Sequence, residues 1–403
     1  MRWLNILIAG FAAIAAAGCA SLPERSAVPF KLVDTAEIDG LAGVRGWGDQ
    51  QPTLEAFEAS HLSSIRAKLR AKQARGESLE TNILAISGGG ENGAFGAGLL
   101  VGWSEKGDRP SFDLVTGVSA GALIAPFAFL GSAYDSQLTE IFTRYGGNDI
   151  YEANILEGVL GGNAVASSAP LKRLIDKFVT AAMVSEIAAA CNSGRLLLVS
   201  TTNLDAERPV FWDVCNIARR GNRQAVELIR SILLASASIP GVFPPVRIKV
   251  VAGGKHYEEL HVDGGPTRQV FLSPTGFRFG EIDKAVGRKL KRKLFIIRNG
   301  KIGPEFEETR DSLLAIGQRS LYTTLKYQAL GDLTRIHATA TADGIGFHLA
   351  AIPDDFRVAL PQPFDSGYMG ALYRVGYQLG REGQPWDTWS PGAGVAKSSG
   401  LTR

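Results

Sequence analysis

A serine flanked by glycines is the first feature of this 403-residue sequence that is suited to chemistry. It lies in the pentapeptide Gly117-Val118-Ser119-Ala120-Gly121, between a β-prone stretch and an apolar stretch. Such a pentapeptide is typical of a nucleophile elbow, a sharp strand-to-helix turn in which glycines leave room for a tightly folded backbone. The helix that follows would bring amide groups and the positive end of its dipole close to developing negative charge. The pattern predicts Ser119 as the nucleophile of an acyl-transfer reaction.

Three consecutive glycines, Gly88, Gly89 and Gly90, lie at an earlier strand-to-helix turn. Glycines there expose backbone amides without side-chain obstruction, so the amides can donate hydrogen bonds to the oxyanion of an acyl-transfer intermediate. The alternative is a phosphate-binding turn, but the segment lacks the lysine of the G-x-x-x-x-G-K-[ST] pattern and fits the dinucleotide pattern only loosely. We therefore predict an oxyanion-binding loop.

An aspartate is followed at once by two glycines in Val262-Asp263-Gly264-Gly265, at the end of a predicted strand. A short carboxylate in this place can accept the proton of a serine hydroxyl if the fold brings the two groups within hydrogen-bond distance. The alternative is an ordinary turn. We predict Asp263 as the general base.

Histidines offer a competing arrangement, because a Ser-His-Asp triad is the common form of an activated serine. Only His337 and His348 follow Asp263, in the chain order of the α/β-hydrolase triad. Both lie in stretches that predict strands and neither is in a recognisable loop signature, whereas His261 is predicted to be a strand neighbour of Asp263. The triad remains the alternative to a direct pair of serine and aspartate. The histidines, cysteines and carboxylates show no spacing typical of a metal-ligand set, so no metal site is predicted.

The order of the three motifs, glycine loop, Gly-x-Ser-x-Gly and Asp-Gly-Gly, resembles the patatin-like phospholipase family over about residues 83–268. A proline-containing segment at 235–245 also resembles the stretch ahead of the family's aspartate. The resemblance implies a dyad of Ser119 and Asp263 instead of a triad, and an oxyanion hole formed by the amides of the glycine loop. It also implies hydrolysis of a lipid carboxylic ester with no cofactor.

One position departs from the family pattern and leaves the head group of the substrate open. Asn92 stands in the glycine loop where family members often carry Arg or Lys. Two other functions fit the same residues: acyl transfer to an acceptor other than water, and lipid binding by a catalytically silent envelope lipoprotein. Trp212 and Phe243 are predicted core residues, with the wall of an acyl pocket as their alternative role.

The elements that must position these residues alternate between strand and helix. Short β-prone runs precede the glycine loop and the serine motif, and apolar helical stretches follow both. Such alternation is typical of a mostly parallel sheet covered on both faces. We therefore predict an α/β fold, a patatin-like three-layer α/β/α sandwich with a mostly parallel central sheet. The predicted strands are 82–86, 112–116, 195–202, 209–213 and 294–298, and the predicted helices include 53–75, 94–103, 122–130 and one that begins at 168–170.

The N-terminal residues predict export and lipid attachment. An apolar run from Leu4 to Ala17, too short to cross a bilayer comfortably, fits a signal peptide over residues 1–18. Ala16-Ala17-Gly18 directly before Cys19 resembles the lipobox of bacterial lipoproteins, in which the cysteine is acylated. This predicts a protein anchored through Cys19 to a membrane of the bacterial cell envelope, the outer membrane. The alternatives are an ordinary cleaved signal peptide, which would give a soluble secreted protein, and an uncleaved anchor.

The rest of the chain predicts one catalytic domain. Residues 19–52 predict a tether and an irregular lead-in segment, residues 53–385 the domain, and residues 386–403 a loose tail. Cys191 and Cys215 are left either for a disulfide or for two buried thiols. The 43 basic and 40 acidic residues give a net charge of +3, too small to attract nucleic acid. The predicted partners are a lipid ester and the membrane, and no protein partner is predicted.

Overall fold

The central sheet of the molecule is built mostly from parallel strands. A computed structural model describes residues 25–51, 58–153, 163–383, 386–387, 389 and 391. The strands are β1 (Arg45–Trp47), β2 (Thr81–Ile86), β3 (Leu114–Val118), β4 (Glu152–Ala153), β5 (Ala166–Ser167), β6 (Leu196–Asn203), β7 (Arg208–Asp213), β8 (Val246–Ala252), β9 (Lys255–Asp263), β10 (Arg292–Arg298) and β11 (Gly346–Ala351).

Within the described residues, nine of these strands form one sheet in the order β1-β7-β6-β3-β2-β10-β11, with β9 paired to β6 and β8 paired to β9. The strands β6, β3, β2, β10 and β11 are parallel to one another. The pairs at the β1 side and the pairs made by β9 are antiparallel. The predicted mostly parallel central sheet is therefore confirmed, while β4 and β5 form a small separate pair.

Helices cover both faces of the sheet. Along β2, Leu84 and Ile86 belong to the larger apolar cluster, and Ile83 and Ala85 belong to a second cluster. Because successive residues of a strand point to opposite faces, the sheet is packed on both sides. This confirms the predicted three-layer α/β/α arrangement. The helices are α1 (Ser63–Ala74), α2 (Gly93–Lys106), α3 (Ala120–Leu130), α4 (Asp135–Arg144), α5 (Gly147–Ile150), α6 (Ala169–Phe178), α7 (Ala181–Asn192), α8 (Val214–Ala218), α9 (Arg223–Ser236), α10 (Phe279–Val286), α11 (Leu313–Asp343) and α12 (Ser366–Glu382).

The predicted strands of the sheet and the predicted helices after the glycine loop and the serine are present, with ends that differ by a few residues. The helix predicted at 53–75 is present as a π-helical turn, Glu58–Leu62, followed by α1, and residues 52–57 lie outside the described part of the chain. No helix in the described ranges is long and apolar enough to cross a bilayer. The predicted signal peptide and Cys19 also lie outside those ranges.

The prediction of a strand around His337 was wrong. This residue lies in the long helix α11, whereas His348 is in β11 as predicted. Leu333, Ile336 and Ala340 are buried at helical spacing in the second apolar cluster. A window of five residues around His337 hides this spacing, because the period of 3.6 becomes visible only over several turns.

Glycines allow α2 and α12 to pack backbone against backbone. A Cβ atom at Gly98 would overlap the carbonyl oxygen of Tyr373, and a Cβ atom at Gly376 would overlap the carbonyl oxygen of Phe95. Any side chain at these two positions would force the helices apart. Since α2 begins directly after the glycine loop, α12 supports that loop through α2.

Asn92 adds a direct link between the glycine loop and α12. The hydroxyl of Tyr368, in the first turn of α12, donates a hydrogen bond to Asn92 Oδ1 at 2.7 Å. The residue that departs from the family pattern therefore has a structural contact of its own.

Cys191 in α7 and Cys215 in α8 form a disulfide, with Cα atoms 5.5 Å apart. The sequence left this pairing open, because no local pattern gives the distance between the two helices. The bond joins two helices that are adjacent to each other in the fold.

Candidate active site

Ser119 and Asp263 are brought together because β3 and β9 pair with the same edge of β6. The last residue of β3, Val118, pairs with Ser200. The last residue of β9, Asp263, pairs with the next residue of β6, Thr201. Since β3 is parallel to β6 and β9 is antiparallel to it, the two strands approach each other end to end. Ser119, which directly follows β3, is therefore placed where β9 ends.

The backbone at Ser119 has the geometry of a nucleophile elbow. Its φ of 55° and ψ of −127° lie in a region that residues with side chains rarely adopt. A Cβ atom at Gly117 would lie 2.5 Å from the carbonyl oxygen of Gly121, and one at Gly121 would overlap the backbone of β2, so the turn requires both glycines. The Ser119 amide donates to Ser236 Oγ at 3.0 Å, and that hydroxyl donates to the Ser200 carbonyl oxygen at 2.7 Å. These two bonds hold the turn on β6.

Asp263 is buried beside Ser119 and has one carboxylate oxygen without a partner. Its Oδ1 accepts a hydrogen bond from the Gly265 amide at 2.7 Å, whereas Oδ2 has no hydrogen-bond partner among the described residues. Burial raises the pKa of Asp263 to about 7, and the Ser119 hydroxyl and the Gly265 amide, as nearby donors, oppose part of this rise. No hydrogen bond of standard geometry yet joins the two side chains. Catalytic hydrogen bonds are often long before substrate binds, so Oδ2 is available for the serine proton.

The glycine loop lies against Ser119, but its three amides are not equally available. A Cβ atom at Gly88 would be 3.0 Å from the Cβ atom of Ser119, so the loop borders the serine directly. The Gly88 amide donates to the Gln269 carbonyl oxygen at 2.9 Å. In the part of the chain that the structure describes, the amides of Gly89 and Gly90 have no such acceptor. Of the three predicted oxyanion donors, these two have amides that remain available to a ligand.

The histidines that could have completed a triad make their contacts with residues other than Ser119 and Asp263. His261 is buried, with Nδ1 2.9 Å from Thr201 Oγ1 and Nε2 3.0 Å from Glu259 Oε2. His337 packs edge-on against two aromatic rings, and His348 stacks on a phenylalanine of β10. No hydrogen bond joins these three rings to the serine or the aspartate, so they do not complete a triad.

Ser119 lines an apolar cavity that is partly open to solvent. The walls come mainly from α3, α4, α6 and the segment that follows α9. Phe243 is one of the lining residues, whereas Trp212 is buried in the core and donates its indole N–H to Thr201. The sequence did not predict the contributions of α4 and α6, because their apolar residues have the same pattern as ordinary core-facing residues. Large side chains of the lining include Leu123, Phe127, Phe142, Leu171, Leu174, Ile175, Phe178, Phe243 and Met369.

Other residues that hold the site were not found by sequence reasoning. Ser236 supports the elbow, Gln269 accepts the Gly88 amide, and Asn299 holds the residue before the glycine loop. Each of them reaches the site only through tertiary contacts, so no spacing pattern marks it. The available signals were the segment 235–245, which contains Ser236, and the predicted strand at 294–298, which ends directly before Asn299.

The family model described as patatin-like phospholipase matches residues 84–276. No curated protein sequence matches the chain. The crystal structure of VipD from Legionella pneumophila is 12% identical with a TM-score of 0.32, and the match covers 75% of this chain and 66% of VipD. Human GIVD cytosolic phospholipase A2 is 12% identical with a TM-score of 0.31, and the match covers 80% of this chain and 53% of that protein.

The chain thus spans slightly less than two thirds of the first of these structures and about half of the second. The family match includes the glycine loop, the serine elbow and the Asp-Gly-Gly turn, and it ends before β10. Over residues 84–276, the chain is similar to the patatin-like phospholipase family.

Proposed function

We propose that this chain is a serine acyl hydrolase that cleaves lipid carboxylic esters, with Ser119 as nucleophile and Asp263 as general base. One observation carries the proposal: Ser119 stands between the carboxylate of Asp263 and an apolar cavity that it lines. A nucleophile, a base and an acyl-binding surface therefore share one point of the fold.

The first half of the proposed reaction forms an acyl-serine. Asp263 accepts the Ser119 proton as Oγ bonds to the ester carbonyl carbon, and the carbonyl oxygen takes up the electron pair. The amides of Gly89 and Gly90 donate hydrogen bonds to this oxyanion. The tetrahedral intermediate then collapses, the bond to the alcohol oxygen breaks, and the alcohol leaves with the proton from Asp263.

The second half releases the acid. Asp263 takes a proton from water as the water oxygen attacks the acyl carbon, and the same amides hold the second oxyanion. The bond to Ser119 Oγ breaks, the free fatty acid leaves, and Ser119 regains a proton from Asp263. Every step uses groups of the chain and water, so the proposal includes no cofactor.

The raised pKa of Asp263 supports its role as a base without histidine. A carboxylate with an ordinary pKa of about 4 is a weak base toward a serine hydroxyl. Burial raises the pKa of Asp263 to about 7, close to the value at which a general base is both ionised and effective near neutral pH. A single side chain then performs the proton transfer that histidine performs in a triad.

The cavity supports a substrate with a long acyl chain. Its walls are apolar over most of their surface, and each methylene that leaves water contributes about 0.8 kcal/mol to binding. No charged side chain is among the described lining residues, so the cavity itself does not select a head group.

We also propose that the protein is anchored to the bacterial cell envelope through an acylated Cys19, in the outer membrane. The apolar run and the lipobox-like residues before Cys19 support this location. The Cys191–Cys215 disulfide supports it independently, because such bonds persist in oxidising compartments. A membrane anchor would place the cavity near its lipid substrate.

A fluorophosphonate ester probe tests the proposed nucleophile. We expect one adduct on the wild-type protein by intact-mass analysis and none on the Ser119→Ala variant. Ser119→Ala should abolish ester hydrolysis, and Asp263→Asn should reduce it by at least about a thousandfold. If folded wild-type protein forms no probe adduct and hydrolyses no long-chain ester, the result would favour a catalytically silent lipid-binding protein.

The products separate hydrolysis from acyl transfer. With a radiolabelled phospholipid and a mixture of lipid acceptors, hydrolysis releases labelled free fatty acid. An acyltransferase would place the label in a new lipid ester instead. Ser119→Ala is the control for both outcomes, because each requires the same acyl-serine.

A further inference from the structure

Arg298, the last residue of β10, is a buried guanidinium group without an ion-pair partner. Only 7% of its surface is exposed, and its Nε has no hydrogen-bond partner among the described residues. No carboxylate in the described ranges lies within ion-pair distance of it; Asp332, which acts on it electrostatically, is paired with Arg335. Burial lowers the pKa of Arg298 to about 10, so the group still carries its charge at neutral pH. An unpaired buried charge destabilises a fold, and its presence next to a candidate site calls for a functional reason.

The contacts that Arg298 makes are with the residues that begin the glycine loop. Nη1 donates to the Gly88 carbonyl oxygen and to Ser87 Oγ, both at 3.3 Å. The next residue, Asn299, donates its amide to Ser87 Oγ and its Nδ2 to the Ser87 carbonyl oxygen, both at 2.9 Å. Arg298 and Asn299 therefore bind the carbonyl oxygens of two consecutive peptide groups ahead of Gly89.

The direction of the Gly89 amide follows from these contacts. In a trans peptide group the carbonyl oxygen and the following N–H point in opposite directions. The Gly88 carbonyl oxygen is directed toward Arg298, so the Gly89 N–H points away from Arg298. Gly88 itself borders Ser119, and Gly90 lines the cavity. The reacting carbonyl group would therefore lie on the side of the Gly88–Gly89 peptide that faces away from Arg298.

Gly300 keeps the guanidinium in this position. A Cβ atom at Gly300 would lie 3.0 Å from Nη2 and 3.1 Å from Cζ of Arg298. The guanidinium is thus packed closely against a residue that has no side chain. A methyl group there would displace the guanidinium without removing its charge.

We propose that Arg298 is a positioning residue for the oxyanion hole, and that it fixes the Gly88–Gly89 peptide so that the Gly89 amide faces the developing oxyanion. Its positive charge on the carbonyl side also polarises this peptide, which makes the N–H a stronger donor. The inference rests on the proposed hydrolase function. It assigns a part in catalysis to a residue that lies outside the family match at 84–276.

The test compares transition-state and ground-state binding in Arg298→Gln. An oxyanion donor acts mainly in the transition state, so we expect kcat to fall about 10-fold to 100-fold while KM stays nearly unchanged. A long-chain alkyl trifluoromethyl ketone, which gains an oxyanion when a serine adds to it, should lose affinity by a similar factor. A long-chain fatty acid, which fills only the cavity, should bind as before.

Three further variants control for misfolding. Arg298→Gln removes an unpaired buried charge, so its melting temperature should be equal to or above that of wild type. Arg292→Gln, in the first position of β10, breaks the ion pair with Asp283 and should lower the melting temperature but leave kcat unchanged. Arg298→Lys should regain part of the lost kcat, and Gly300→Ala should lose kcat with the charge retained.

Two results would overturn the inference: unchanged kcat in Arg298→Gln, or an equal loss of affinity for the ketone and the fatty acid, which would indicate a general structural role. Failure of the proposed function is distinguishable from both. In that case wild-type protein itself would show no turnover that depends on Ser119.

Discussion

At the scale of single residues, Asp263 is the centre of the proposed chemistry because its environment sets its basicity. It lies at the end of β9, is almost fully buried, and keeps one oxygen without a partner. Desolvation disfavours the ionised carboxylate and so strengthens it as a base. The same desolvation makes the ionised residue unfavourable for the fold, which gives two separate predictions.

The first prediction concerns the pH dependence of hydrolysis. The proposed base must be ionised, and the pKa of Asp263 is about 7. We expect kcat/KM for a soluble ester to be level above about pH 8 and to fall about tenfold per pH unit below about pH 6. The profile is measured together with the melting temperature at each pH, so that unfolding is excluded. An inflection near pH 4, or a flat profile, would contradict the assigned base.

The second prediction concerns stability. The pKa of Asp263 is near 7 in the folded state and about 4 in the unfolded chain, so the folded state binds the proton more tightly. Its contribution to the free energy of unfolding is therefore complete below about pH 4 and is lost as the pH rises through 7. Asp263→Asn removes the charge with little change of shape. We expect it to be more stable than wild type at pH 8, by about 1 to 4 kcal/mol, with a smaller difference at pH 5.

Denaturant unfolding at both pH values measures this difference. Ser119→Ala serves as the control, since it is equally inactive but keeps the buried carboxyl group. A gain in stability that is independent of pH would show that desolvation of Asp263 is not its source.

The sequence was sufficient to single out the two candidate residues that lie in a characteristic local backbone shape. Ser119 lies between glycines at a strand-to-helix turn, Asp263 is followed by two glycines, and the structure places the two residues side by side. The state of the Gly88 amide was not predictable, because its acceptor, Gln269, is distant in the chain. The same holds for Arg298, whose local sequence is that of an ordinary strand end.

At the scale of elements, the helix pair α2–α12 determines how the glycine loop is supported. The sequence predicted α2 from its position after the loop but gave no reason to pair it with α12. The small residues that permit their contact are visible in the sequence, yet glycines in a helix also occur without close packing. Only the tertiary contact between the two helices distinguishes closely packed glycines from other helical glycines, and the sequence of a single helix does not contain that contact.

The third prediction tests this contact with two glycines of the same helix. Gly376→Ala places a methyl group against the carbonyl oxygen of Phe95, so we expect a loss of about 2 kcal/mol or more in the free energy of unfolding. Gly370→Ala is the matched control, because a Cβ atom there meets only the end of the Arg374 side chain at 3.7 Å. The higher helix propensity of alanine should make Gly370→Ala neutral or slightly stabilising.

Thermal unfolding of the two variants gives the comparison. Equal effects at the two positions would mean that the helices separate easily and that α12 does not constrain α2. A reduced kcat in Gly376→Ala at a temperature where it is folded would show in addition that the support extends to the loop.

At the scale of the whole molecule, the proposed anchor and the folded domain divide the chain into a part that locates the protein and a part that reacts. The fourth prediction addresses the first part. Cys19→Ser should abolish incorporation of labelled fatty acid and move the protein from the membrane fraction to the soluble fraction of cells. The double variant Cys191→Ala and Cys215→Ala should keep the label, since those cysteines form the internal disulfide. Labelling that survives Cys19→Ser would disprove the anchor at this residue.

The position of β10 also determines where the chain can be cut. The family match ends at residue 276, but β10 pairs with β2 from Arg292 with Thr81 to Ile297 with Ile86, and β11 pairs with its other side. A fragment limited to residues 84–276 would therefore leave β2, an apolar strand from the middle of the sheet, as an open edge. Open apolar edges pair with other chains, so such a fragment should aggregate during expression. A truncated or chimeric version of this chain should keep everything up to the end of α12, because the boundary of sequence similarity is not a boundary of folding.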